Sequence, residues 1–215
     1  MLHGRPTPPV DANGNGVRAR TLAAAHELFS KYGYRATTTK EISTLAGIAE
    51  PTLFRKFGSK TELFEATILE PFTEFIAAWT RSWKSLTADD PLPELVQSLV
   101  GGLFTLVRHN RKLFQELIAA RNDPQCDLYW SAVSISTQVR EGLRAVHDVG
   151  LEVAYVRGLS RLDAPATIAS VASMVIGSVV LQDWVTPQGA RNPSQTRMIR
   201  EMASIVTHGI TDRPD

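Results

Sequence analysis

Cysteine is nearly absent: Cys126 stands alone among 215 residues. No internal disulfide can form, which fits a reducing compartment such as the cytoplasm. A lone thiol can sense oxidants, but a single Cys is more often a packing residue. The histidines His3, His26, His109, His147 and His208 are scattered. None has the i, i+4 spacing or cysteine neighbour of a metal site, so no metal is expected. No Gly-rich phosphate loop, nucleophile elbow or catalytic triad is present, which argues against an enzyme and implies no cofactor. No stretch alternates apolar and polar residues as a half-buried strand does, and no repeat is visible. The first residues, MLHGRPTPPVDANGNG, lack the apolar centre of a signal peptide. Residues 1–15 read as a disordered arm, with Arg5 as a candidate minor-groove contact. One long uncharged run exists, residues 164–182. Its length approaches a membrane span. It is interrupted by Pro165, Thr167, Ser170, Ser173 and Ser178, and has no basic flank or aromatic belt. It reads as a helix buried on all sides, with no membrane partner.

What remains is ordinary in bulk and uneven in detail. Hydrophobic residues make up 43% and charged residues 21%, as in a soluble globular chain long enough for a sizeable core. The net charge of +1 conceals an asymmetry. Residues 1–60 hold nine Lys and Arg against four Asp and Glu, and the remainder holds 14 against 18. A basic first part beside an acidic body points to a polyanionic partner for the first part alone.

Residues 18–64 read RARTLAAAHELFSKYGYRATTTKEISTLAGIAEPTLFRKFGSKTELF. Thr21, Ala25, Leu28, Phe29 and Tyr32 lie on one face of a first helix. Gly33 stands where a left-handed cap ends it. Thr38 and Glu41 form a capping box that opens a second helix, which Gly47 stops. A third starts near Glu50 with Pro51 in its first turn, where a missing N–H costs little. Ser59 and Glu62 open a fourth. Helix, turn containing glycine, helix is the helix-turn-helix plan, whose second helix enters a major groove. With Leu53 and Phe57 turned to the core, Glu50, Pro51, Thr52, Arg55 and Lys56 face outward. Arg55 suits guanine O6 and N7, Glu50 cytosine N4, and Thr52 a phosphate or a thymine methyl. Lys56, Lys60 and Lys40 suit phosphates, and Thr38 and Thr39 offer helix N-terminal N–H groups to one. Each of these charges is equally compatible with a solvated surface.

The stretch resembles the tetracycline-repressor (TetR) family of transcriptional regulators. The resemblance is carried by Ala24-Ala25, Leu28-Phe29, Gly33-Tyr34, Thr37-Thr38, Ile42, Ala46-Gly47-Ile48, Thr52-Leu53-Phe54, Phe57, Ser59-Lys60 and Glu62-Leu63. It covers about 47 residues without a gap. Departures are Ala49 for a capping Ser, Pro51 for Gly, Phe54 and Lys56 for Tyr, and Ser43 for Ala. The resemblance implies an all-α fold. A helix-turn-helix DNA-binding domain at 16–60 would be followed by a helical ligand-binding and dimerisation domain at 61–215. It implies double-stranded operator DNA as partner, with Phe54 at the position of a family phosphate contact. A small effector would enter the body and move the fourth helix, and the last two helices would pair between copies.

The body breaks into helices near 60–85 (kinked or split by Pro71), 91–108 behind a cap at 88–91, 111–121, 128–158, 164–185, and a last one to about 208 capped at Asn192-Pro193. Ala169, Ser173 and Gly177 form a small-residue stripe, and Met198, Met202 and Ile205 share a face; both are candidates for a homodimer interface. A two-fold dimer is also what reading two half-sites requires. Phe75, Trp79, Trp83, Leu103, Phe104, Leu106, Tyr129 and Met174 are candidate linings of a mainly apolar pocket, with His109, Arg121 and Asn122 to orient a guest; any one of these aromatics taken singly reads first as ordinary core, and it is the collection that points to an apolar or aromatic ligand. Gly101-Gly102 in mid-helix suggests that backbone room is needed. The reading is therefore a homodimeric repressor released from a palindromic operator by a small apolar effector. The alternative is a helical small-molecule-binding protein that has lost DNA binding.

Overall fold

The structure is a computed structural model and describes residues 14–83, 91–159, 162–187, 189 and 192–211. The expected arm with Arg5 and most of the expected cap at 88–91 lie outside the described residues. Among those described there are helices and no strand. In order they are α1 (Gly14–Tyr32), α2 (Thr39–Ala46), α3 (Glu50–Phe57), α4 (Lys60–Trp83), α5 (Leu92–His109), α6 (Arg111–Arg121), α7 (Tyr129–Val156), α8 (Ala164–Val180), α9 (Gln182–Val185) and α10 (Gln195–Thr211). The chain divides into two compact units, the division falling inside α4 after Thr67.

In the first unit Thr21, Ala25, Phe29, Ile42, Leu53, Leu63 and Phe64 are fully enclosed. The buried Thr21 hydroxyl is satisfied by the Val17 carbonyl at 2.7 Å, and that of Thr37 by the Gly33 carbonyl at 2.8 Å. Tyr32, expected on the core face, is instead 51% exposed. The chain reverses at Gly33 (φ +84°), and Tyr34 folds back in its place, edge-on to Phe64 at 5.2 Å. The Thr38–Glu41 capping box forms in both directions, at 2.8 and 3.2 Å. Gly47 (φ +66°) ends α2. Its N–H donates to the Thr44 carbonyl and that of Ile48 to the Ser43 carbonyl, a Schellman arrangement. Ser59 accepts from the Glu62 N–H at 3.0 Å at the head of α4.

In the second unit α4 continues through Pro71 without splitting. Pro71 is exposed, and the turns that follow are anchored by buried Phe72 and Ile76. Gly142 of α7 is the reason Phe72 fits: a Cβ there would lie 2.6 Å from its ring. The core joins these residues to Val96, Val100 and Val107 of α5, Val146 and Val149 of α7, Val171, Val175 and Val179 of α8, and Met202 of α10. Arg111 pairs with Asp183 at 2.6 Å and Gln115 Nε2 donates to the Val180 carbonyl, tying α6 to the end of α8 and to α9. The last helix is capped by Ser194, which accepts from the Arg197 N–H at 3.3 Å, rather than by Asn192-Pro193. No described helix is long and apolar enough to cross a membrane. Nor is α8 buried on all sides: Ala166, Ala169, Ser170 and Ser173 are exposed. The uncharged run misled because Ala and Ser leave a face uncharged without making it strongly apolar.

The glycine pair of α5 separates into two roles. A Cβ on Gly102 would stand 2.0 Å from the Phe75 ring, whereas one on Gly101 would meet Ile199 at an ordinary 3.5 Å. Gly102→Ala should therefore destabilise the protein by about 1–3 kcal/mol through overpacking. Gly101→Ala should be neutral or stabilising by up to about 1 kcal/mol from helix propensity. Urea midpoints of the two variants check this. In the first unit, Ala49 precedes α3 with extended backbone and no side-chain cap. Ala49→Ser would offer an acceptor to the Thr52 N–H and should stabilise by about 1 kcal/mol, read the same way.

Candidate functional site

The candidate nucleic-acid surface is built on α2, the Gly47 turn and α3. Eight residues with an uncapped start make a marginal helix by themselves. Burial of Leu53 and Phe57 fixes which face of α3 is inward. Pro51, Phe54 and Arg55 are exposed, and Thr52 and Lys56 half-buried. Arg55 leans towards Thr52, Nη2 to Oγ1 at 3.5 Å, a contact too long to hold the guanidinium. Glu50 is half-buried, and its carboxylate accepts from the Thr39 hydroxyl at 2.5 Å. Two candidates assigned separately to DNA are thus bonded to each other, and the bond tethers the head of α3 to that of α2.

Thr38 and Lys40 are exposed at the start of α2. Glu41 belongs to the same cluster. The hydrogen bonds from the Thr38 hydroxyl and N–H hold its carboxyl below the usual range, and the Lys60 charge adds to this. Lys60 is half-buried, with Nζ 4.2 Å from the centre of the Tyr34 ring, whose hydroxyl meets Thr61 Oγ1 at 2.9 Å. Two cations of α1 went unnoticed in the sequence. Arg18 stacks on the Phe57 ring at 4.5 Å, and Arg20 Nε donates to the Ala46 carbonyl at 3.4 Å. They brace the ends of α3 and α2. Sequence spacing carries no signal for them, since their partners lie 39 and 26 residues away.

The second unit holds an apolar cavity between the end of α4, the start of α5, the end of α7, the start of α8 and the end of α10. Its free volume is about 70 Å³, and no polar atom faces it. Of the candidate lining residues, Trp79 and Trp83 border it. Phe75 packs at Gly102, Leu103 and Phe104 are buried in the core, and Met174 is half-buried against that core. Leu106 also packs there. His109, Arg121 and Asn122 are exposed, and Tyr129 sits beneath Arg121 at 5.6 Å. The walls that the sequence did not single out are Leu92, Val96, Val146, Val153, Ile168, Val171 and Ile210. They are aliphatic residues at helix ends, indistinguishable by type from ordinary core.

Among the candidate interface residues, Ala169 and Ser173 are exposed. Gly177 is half-buried, with nothing within 4 Å of the Cβ it lacks. On α10, Met202 is buried in the core of its own unit, Met198 is half-buried against it, and Ile205 is 56% exposed. The end of α8 and α9 add exposed Leu181, Trp184 and Val185, which the sequence reading did not include.

Residues 22–67 match the family model for bacterial regulatory proteins of the tetR family. Curated relatives include the HTH-type transcriptional activator FasR of Mycolicibacterium smegmatis, 27% identical over 131 residues, covering 61% of this chain and 55% of that protein. They also include the HTH-type transcriptional repressor KstR2 of Mycobacterium tuberculosis, 33% identical over 96 residues, covering 45% and 46%. The chain spans about half the length of these relatives. Among solved structures, the regulator FadR of Bacillus subtilis in complex with stearoyl-CoA superposes with a TM-score of 0.61 at 15% identity, covering 91% of this chain and 99% of that one. That likeness bears on the fold. Helix-turn-helix geometry and the matched segment agree over residues 22–67: this part of the chain is that of bacterial regulatory proteins of the tetR family, and over the remainder the likeness is one of fold.

Proposed function

We propose that this protein is a homodimeric, ligand-responsive transcriptional repressor, working in the cytoplasm on a palindromic operator. The observation that carries the reading is the face of α3. After a left-handed turn at Gly47, an eight-residue helix buries Leu53 and Phe57 and leaves Pro51, Phe54 and Arg55 exposed. A helix so short reads only a few base pairs, so two copies are needed to read an operator. The exposed small-residue face of α8, with Ile205 of α10, is the proposed meeting surface. The apolar cavity supports a small apolar effector, and the stearoyl-CoA complex of FadR is consistent with an acyl compound. Occupancy must favour the conformation that fits DNA less well, or the ligand switches nothing. One helix, α4, supplies Lys60 to the first unit and Trp79 and Trp83 to the cavity, and is the proposed carrier of the signal.

Selection of bound duplexes from a random pool tests the reading. A shared palindrome with steeply salt-dependent affinity is the expected result. A helical carrier that has lost DNA binding would enrich nothing and show no salt dependence. With the selected site in hand, Arg55→Ala should relax preference at one position per half-site, by about 1–3 kcal/mol. Lys60→Ala should weaken all sequences about equally and lower the salt slope by about one. Equal loss at every position after Arg55→Ala would make Arg55 a phosphate contact.

A further inference from the structure

Glu50 is the first residue of α3, and the N-terminal residues of a helix lying in a major groove are those that reach base edges. Helical spacing sets it one turn before exposed Phe54, at the border with the buried side that carries Leu53 and Phe57. One carboxylate oxygen, Oε1, accepts from the Thr39 hydroxyl at 2.5 Å. Among the described residues nothing donates to the other oxygen, and no cation pairs with the carboxylate. A lone negative charge on a surface that must approach phosphates weakens binding unless a donor on the DNA meets it. A hydroxyl carries one proton. That of Thr39 is given to Glu50, so Thr39 has only its backbone N–H to offer a phosphate.

We propose that Glu50 selects cytosine at one position of each half-site, its free oxygen accepting from N4, and that Thr39 is a positioning residue that holds the carboxylate for this task. This rests on the reading of the α3 face as the DNA-contacting surface, and names the base that one side chain reads. In the major groove only cytosine and adenine present an amino donor, and adenine sets its N7 acceptor beside it. A carboxylate has no proton for N7, so cytosine is favoured over adenine. Guanine and thymine present acceptors and no donor, which would leave the charge facing lone pairs. A glutamate side chain ordered only on binding surrenders rotamer freedom at that moment. The Thr39 bond fixes the carboxylate beforehand, so less of the base contact is lost to ordering.

The test repeats the duplex selection with the full chain and with Glu50→Gln, Thr39→Val and Thr39→Ser, each checked for helical content. Affinity and salt slope are then measured on single-base variants of the selected site. The unmodified protein should prefer cytosine at one position per half-site by about tenfold. Glu50→Gln, whose amide matches adenine N6 and N7, should move that preference to adenine. Thr39→Val, similar in shape but without the hydroxyl, should reduce the cytosine preference there about threefold, part of one net hydrogen bond. Other positions and the salt slope should be unchanged, and Thr39→Ser should keep the preference. Thr39→Ala replaces Thr39→Val if the latter does not fold. A gain for every sequence after Glu50→Gln would overturn the proposal, since Glu50 would then only repel phosphates. So would a lower salt slope after loss of the Thr39 hydroxyl, the sign of a phosphate contact, or equal loss at every position, the sign of a tether alone. A pool from which the unmodified protein enriches nothing would end the operator reading and this assignment with it. Enrichment without a cytosine that depends on Glu50 would end this assignment alone.

Discussion

The candidate site of the first unit depends on one backbone constraint, the left-handed conformation at Gly47. A Cβ at that position would meet nothing within 4 Å, so glycine is required by φ and not by space. That conformation lets the Gly47 and Ile48 N–H groups close α2 and sends the chain into α3 only three residues later. An eight-residue helix with an uncapped start has little stability of its own. Its direction is set by what holds it: the Gly47 turn, the Thr39–Glu50 bond at its head, Leu53 and Phe57 in the core, and Arg18 stacked at its end. The exposed side of α3 is thereby presented on a rigid mount, as recognition of a groove demands.

The two units solve different problems with the same element type. The first is small and closes its core with hydroxyls bonded to carbonyls, capping boxes and cations laid over aromatic rings. The second is a larger aliphatic and aromatic core in which glycines admit side chains that a methyl would obstruct, Phe75 at Gly102 and Phe72 at Gly142. It tolerates a narrow gap bordered by two tryptophans.

Much of this was legible in the chain, for identifiable reasons. Capping residues and glycines act locally, so Thr38–Glu41, Gly33, Gly47 and Ser59 mark the ends of the first helices in the sequence itself. The inward pair Leu53 and Phe57 follows from 3.6-residue periodicity. Other features depend on partners distant in sequence and left no local trace. Tyr34 rather than Tyr32 returns to the core because of how the chain leaves Gly33. Glu50 is engaged by Thr39 across the turn. The cavity is assembled from the ends of five helices, so its aliphatic walls resembled any core, and only Trp79 and Trp83 were recognisable as bordering it. The uncharged run of α8 suggested complete burial because charge was counted, whereas its Ala and Ser positions leave one face open.

The central claim is that the exposed side of α3 lies against the bases of a duplex. Placing a photo-crosslinker at position 54 tests it most directly, using Phe54→Cys in a Cys126→Ser background, with Trp184→Cys carrying the same label as control. The account predicts crosslinks from position 54 to bases on their major-groove edges, in both halves of the bound site, and none from position 184. Crosslinks from position 184 with none from position 54 would contradict it.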